Sequence, residues 1–230
     1  MKKTLVFLTI LTFCAICISA PVKSMTAARN TIAASYTREP ILPPEYQEVE
    51  YLQSTNANQY IQVFSYVHIN TVEFEMKVAN METGLYTYNF VVCASYGGQR
   101  KGGLDKQYPM KVRFWGKSNI VIDGFNVGSV CNLSFRDGIA TAKMANGTTS
   151  SGEWDWNASQ VMAEIDLWHS GRGLRSRIYH ARFWQNKEQT HDLYPCVRVA
   201  DNKPGFFNLI TNEFLVNKGI GDFLVGPVKR

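Results

Sequence analysis

The chain has 230 residues, 45% of them hydrophobic and 19% charged, with a formal net charge of +5. Its basic residues are scattered among acids without a block of five or six, which argues against a nucleic-acid-binding surface. Beyond the amino terminus no run approaches about 18 consecutive apolar residues, so no membrane insertion is expected.

Residues 1–20 read as a signal peptide: Lys2 and Lys3, an apolar run from Leu5 to Ile18, then Ser19 and Ala20. Neither Cys14 nor Cys17 follows a small residue, since Phe13 and Ile16 precede them, so lipid attachment is not expected. Removing this segment removes two Lys and no acid, which leaves +3. The expected location is secreted: periplasmic, cell-surface or extracellular. Residues 21–41, rich in Ala, Ser and Thr, read as a flexible leader, and one domain is expected over 42–230.

From Leu42 onward the chain alternates apolar and polar residues in short runs, the pattern of strands with one buried and one wet face. The runs are Val49–Gln53, Tyr60–Tyr66, Thr71–Val78, Tyr88–Tyr96, Lys111–Trp115, Asn119–Ile122, Cys131–Arg136, Ile139–Met144, Met162–His169 and Ser176–Trp184. Gly97-Gly98, Gly102-Gly103, Asp123-Gly124, Asp137-Gly138, Asn146-Gly147 and Ser170-Gly171 separate them as turn signals. No sustained helical stripe appears. The predicted fold is all-β, a two-sheet antiparallel jelly-roll sandwich, with Gly97-Gly98 and Gly102-Gly103 in a mobile hairpin.

Cys93, Cys131 and Cys196 lie in strand-like apolar contexts and read as small buried hydrophobes, with one disulfide among them as the alternative. Their spacing and that of His68, His169, His180 and His191 matches no zinc pattern.

The opening Leu42-Pro43-Pro44-Glu45-Tyr46 through Val49-Glu50-Tyr51-Leu52-Gln53-Ser54-Thr55 with Gln59-Tyr60-Ile61 resembles that of the concanavalin A-like, laminin-G-like domains of secreted bacterial and phage-associated proteins. So does the closing set Ile178-Tyr179, Asp192-Leu193-Tyr194-Pro195-Cys196, Gly205-Phe206-Phe207-Asn208-Leu209, Asn212-Glu213-Phe214 and Gly221-Asp222-Phe223. The resemblance implies that the first and last strands lie side by side. It also implies a non-catalytic module, a glycan binder or a part of a fibre or adhesin. Calcium is common in such sandwiches, and Asp123, Asp137, Asp155 and Asp166 are candidate ligands without a spacing that places a site.

The sharpest local motif is Glu164-Ile165-Asp166-Leu167-Trp168-His169. On a strand Glu164, Asp166 and Trp168 share one face, and Ile165 and Leu167 the other. It resembles a concanavalin A-like glucanase motif, Glu-x-Asp-x-Glu or Glu-x-Asp-x-x-Glu, but its last acid position is Trp168 or His169 here. A retaining hydrolase needs two carboxyls across the sugar, so the catalytic set is incomplete unless Glu153 or Asp105 folds back opposite Glu164. In Lys111–Trp115, Arg113 and Trp115 point outward with Lys111. If the two strands are neighbours on the concave sheet that the resemblance implies, Trp115 and Trp168 form indole platforms for a sugar, Arg113, Glu164 and Asp166 bind its hydroxyls, and Tyr96 extends the groove. Otherwise the two rings fill the sheet face or cover a loop. Trp154 and Trp156 form a second aromatic pair, read as hairpin packing. The expected partner is a glycan or cell-surface polysaccharide, with protein partners of a structural domain as the alternative and a degenerate glycoside hydrolase as the third.

Overall fold

The computed structural model describes residues 42–81, 90–96, 99–107, 110–115, 120–155, 162–168 and 174–229. The expected signal peptide and leader, Trp156, His169 and the pairs Gly97-Gly98 and Ser170-Gly171 lie outside these.

The described residues form two antiparallel sheets packed face to face as a β-sandwich. In chain order the strands are β1 (Tyr46–Glu48), β2 (Leu52–Gln53), β3 (Ile61–His68), β4 (Val72–Asn80), β5 (Phe90–Tyr96), β6 (Gln99–Gln107), β7 (Met110–Trp115), β8 (Ile120–Phe125) and β9 (Val130–Arg136). They continue as β10 (Ile139–Met144), β11 (Thr149–Glu153), β12 (Met162–Leu167), β13 (Ser176–Gln185), β14 (Glu188–Arg198), β15 (Lys203–Asn208), β16 (Glu213–Val216) and β17 (Leu224–Val225). The larger sheet runs β11-β10-β9-β4-β13-β14-β15-β16, with β1 beside β14 and β2 between β13 and β17. The smaller runs β3-β12-β5-β6-β7-β8. No helix among the described residues is long and apolar enough to cross a membrane.

Alternation decides which side chains enter the core. In β4, Phe74, Met76 and Val78 are buried against the smaller sheet, as are Cys131, Leu133 and Phe135 of β9. Phe74 stacks on Phe114 of β7 with ring centroids 6.4 Å apart, and Phe64 of β3 meets Phe183 of β13 edge-on at 6.0 Å, so aromatic rings bridge the two layers. Trp154 packs into the same cluster between the sheets, 4.7 Å from Phe135 and 5.3 Å from Phe114.

The first and last described segments of the domain meet. Leu52 pairs with Val225, Val49 with Val228, and Glu50 N–H donates to the Pro227 carbonyl at 2.8 Å. The side-by-side first and last strands implied by the resemblance are therefore present. Asp137-Gly138 takes positive φ at both positions, 51° and 77°, which matches the tight turn expected between β9 and β10.

β5 and β6 pair as an antiparallel hairpin, Tyr96 against Gln99, but the turn expected at Gly102-Gly103 is not observed. Both glycines lie inside β6, paired with β5 through Ala94 and Cys93. Polar residues and two glycines hide the alternation there, and pairing on both sides imposes the strand. The three cysteines are free and buried on three different strands, so the disulfide alternative is not realised.

Candidate functional site

The anticipated groove lies on the outward face of the smaller sheet, and its parts are spread apart. Glu164 pairs with Ser95, and Asp166 with Cys93 on one side and Gln62 on the other. Cys93 pairs with Gly103, and Gly103 with Trp115. Asp166 and Trp115 thus occupy one cross-strand row, but β5 and β6 intervene, so their backbones stand about 14 Å apart. The two strands are not neighbours, as the groove required. The middle of the face is closed to solvent, with Cys93, Ser95 and Asp166 all buried. Arg113 and Glu164 are half-buried.

Trp168 is not an outward platform. Its ring is 0% exposed and packs on Phe223 at 4.8 Å and Phe206 at 6.0 Å, and its indole N–H donates to the Ser176 hydroxyl. The reason is local: Trp168 has φ 55°, a left-handed conformation just past β12. The two-residue alternation that would have kept it beside Asp166 ends there. Tyr96 is half-exposed, but it follows the outward Ser95, so alternation turns it to the opposite side from Glu164. Glu153 sits on β11 in the other sheet.

The candidate calcium ligands are also scattered. Asp123 is on β8, Asp137 in the β9–β10 turn, Asp155 just after β11 and Asp166 on β12. No group of three or more His, Cys, Asp or Glu suited to a metal occurs among the described residues.

A depression of about 350 Å³ lies instead on the outward face of the larger sheet, bounded by Glu75, Lys77, Asn132, Ser134, Thr141, Lys143, His180 and Arg182, with Met76 and Leu133 also in its lining. Four strands build it in two cross-strand rows. His180, Lys77, Asn132 and Lys143 pair in succession from β13 through β4 and β9 to β10. Arg182, Glu75, Ser134 and Thr141 form the next row by the same pairings. A bulge between Ile178 and His180 interrupts the alternation of β13, and Tyr179 remains on this side beneath Lys77, whose ammonium is 5.3 Å from the ring centroid.

Most charges here are already matched. Asp192 accepts from His180 Nε2 at 2.5 Å and lies 3.4 Å from Arg182. Burial tends to raise its pKa, but the His180 hydrogen bond and the His180 and Arg182 charges outweigh that and hold the carboxyl below its ordinary value. Glu75 meets Arg136 at 3.5 Å. At the end of the face Glu73 accepts from Arg136, Lys187 and the Asp137 N–H, and Lys187 also pairs with Asp137. These contacts overcome the burial of Glu73 and lower its pKa. The Arg136 guanidinium stacks on Trp184 at 3.9 Å.

The sequence reading missed this set because His180, Lys77, Asn132 and Lys143 come from four strands whose lateral order alternation alone does not give. The only signal was that each sits at a polar, outward position of its run. No protein-family model matches the chain, and no curated protein matches it in sequence.

Proposed function

We propose that this is a secreted, non-catalytic binding module whose ligand is a glycan, seated in the depression on the outward face of the larger sheet. The observation that carries the reading is the lining of that depression: amide, hydroxyl, ammonium, guanidinium, imidazole and carboxylate groups on one rigid sheet surface. Its volume of about 350 Å³ is at the small end of ligand sites, the scale of one or two sugar units. The donors and acceptors of these side chains suit a polyhydroxylated ligand better than an apolar one. Because the groups project from paired strands, little ordering is left to be done on binding.

The outward row of the smaller sheet, with Arg113, Glu164 and Asp166, stays within this proposal as a second contact surface. The resemblance to concanavalin A-like domains favours that face, whereas the buried Trp168 and closed centre count against a stacking groove there.

A glycan array probed with the full chain, with calcium and with chelator, and monitored for released sugar, tests the reading. Saturable binding without product supports it, and loss of that binding in Asn132→Ala and Thr141→Ala places it in the depression. Absence of binding to every glycan rejects it in favour of a structural domain with protein partners.

A further inference from the structure

Of the charged residues that bound the depression, Lys77 and Lys143 are the two without an ion-pair partner among the described residues. Glu75 is held by Arg136, Asp192 by His180 and Arg182, and Glu73 and Asp137 by Lys187. No carboxylate lies within ion-pair distance of Lys77 or Lys143 among the described residues. Both side chains are exposed, and both occupy the same cross-strand row, one on each side of Asn132. Two strand spacings separate their backbones, about 10 Å, a span that two flexible four-carbon stems close readily around one small group.

Two like charges beside one depression repel each other, and the carboxylate that lines it, Glu75, is engaged by Arg136 at 3.5 Å. Asn132 is neutral, and the Ser134 and Thr141 hydroxyls of the next row supply hydrogen bonds without charge. An anionic oxygen entering between the ammoniums would relieve the repulsion and gain charge-assisted hydrogen bonds, while the amide and hydroxyls engage the adjoining ring oxygens.

We infer that the glycan bound in this depression is acidic, held by carboxylate or sulfate oxygens between Lys77 and Lys143. The inference rests on the glycan reading above and specifies its substrate class. A nucleic acid is disfavoured because its binding draws on many phosphate contacts, whereas this site offers two unmatched cations and a tyrosine ring already covered by Lys77.

The test titrates the full chain with three length-matched probes: a hexagalacturonate, a sulfated maltohexaose and neutral maltohexaose. One acidic probe is expected to bind at least about tenfold more tightly than the neutral one, and which of them does so separates carboxylate from sulfate recognition. Its affinity is expected to fall about tenfold in each of Lys77→Gln and Lys143→Gln, to weaken with added salt, and to be unchanged in Lys203→Gln, an exposed position outside the depression. Neutral maltohexaose bound equally well, and insensitive to both substitutions, overturns the acidic assignment and leaves the glycan reading standing. Acidic-probe binding indifferent to Lys77→Gln and Lys143→Gln overturns the site. Binding of none of the three overturns the acidic assignment, while the array separately decides the glycan reading. Equal competition by a short oligothymidylate overturns it in favour of unselective polyanion binding.

Discussion

The indole N–H of Trp168 donates to the hydroxyl of Ser176 at 2.8 Å, deep between the sheets. This bond satisfies the ring's one polar atom in a site with no solvent, and it ties the end of β12 to the start of β13 across the sandwich. Trp168→Ala should cost roughly 3–5 kcal/mol in urea unfolding, the range for losing a buried aromatic ring. Glycan affinity per folded molecule should not change. A stable Trp168→Ala protein with lost binding would return the residue to the ligand surface.

His191 of β14 couples the larger sheet to β3, the edge strand of the smaller one. It is 9% exposed, packs edge-on against Phe64 at 4.7 Å and Phe183 at 6.2 Å, and its Nδ1 lies 3.0 Å from the Thr190 hydroxyl. Burial lowers its pKa from 6.5 to about 4, against the opposing pull of Glu213 and of the Val63 backbone. The unfolded chain therefore binds the proton first as pH falls. This contribution is intact above about pH 6.5 and is lost progressively down to about pH 4, a loss on the order of 3 kcal/mol. Urea midpoints measured from pH 7.5 to 4 should fall in the wild type and fall less steeply in His191→Phe. Parallel curves would contradict the burial of a neutral imidazole.

Glu73 receives Arg136, Lys187 and the Asp137 N–H at the tips of two hairpins. Asn186 and Lys187 form the second tip with positive φ of 51° and 68°, so the ion pairs of Lys187 hold a backbone that a lysine rarely adopts. Glu73→Gln should cost about 1–2 kcal/mol, kept modest because Lys187 is largely solvated. The lowered carboxyl pKa means that this contribution is full above the ordinary carboxylate range and is lost as the pH falls from there through the lowered value. Double-mutant cycles with Lys187→Met measure the coupling. Additive effects would show that the pair contributes nothing.

Burial pushes the thiols of Cys131 and Cys196 up to about 12. The thiolate is the reactive form, so neither should react with iodoacetamide at pH 8 in the native protein, and both should react in denaturant. Mass spectrometry of the labelled chain reads this directly, and rapid native alkylation would contradict the burial.

Much of the sandwich was legible in the sequence because its signal is local. Ile139–Met144 is the strand that Asp137-Gly138 and Asn146-Gly147 bracket, and β4, β9 and β13 follow the alternation of their apolar residues to within two residues at each end. β6 was illegible because Gly102 and Gly103 carry no side chain to alternate. Trp168 was misread because a single left-handed residue reverses its direction, which a two-residue period cannot register. The sheet order was the larger obstacle. Arg113 and Asp166 seemed able to share a groove, yet two strands separate them, while Lys77 and Lys143, sixty-six positions apart in the numbering, flank one asparagine.

The most direct test of glycan binding on the larger sheet is an amide chemical-shift map of the labelled full chain, titrated with the tightest oligosaccharide from the array. The account predicts saturable shifts concentrated at Glu75–Lys77, Asn132–Ser134, Thr141–Lys143 and His180–Arg182. Shifts confined to Arg113, Glu164 and Asp166 on the smaller sheet would contradict it.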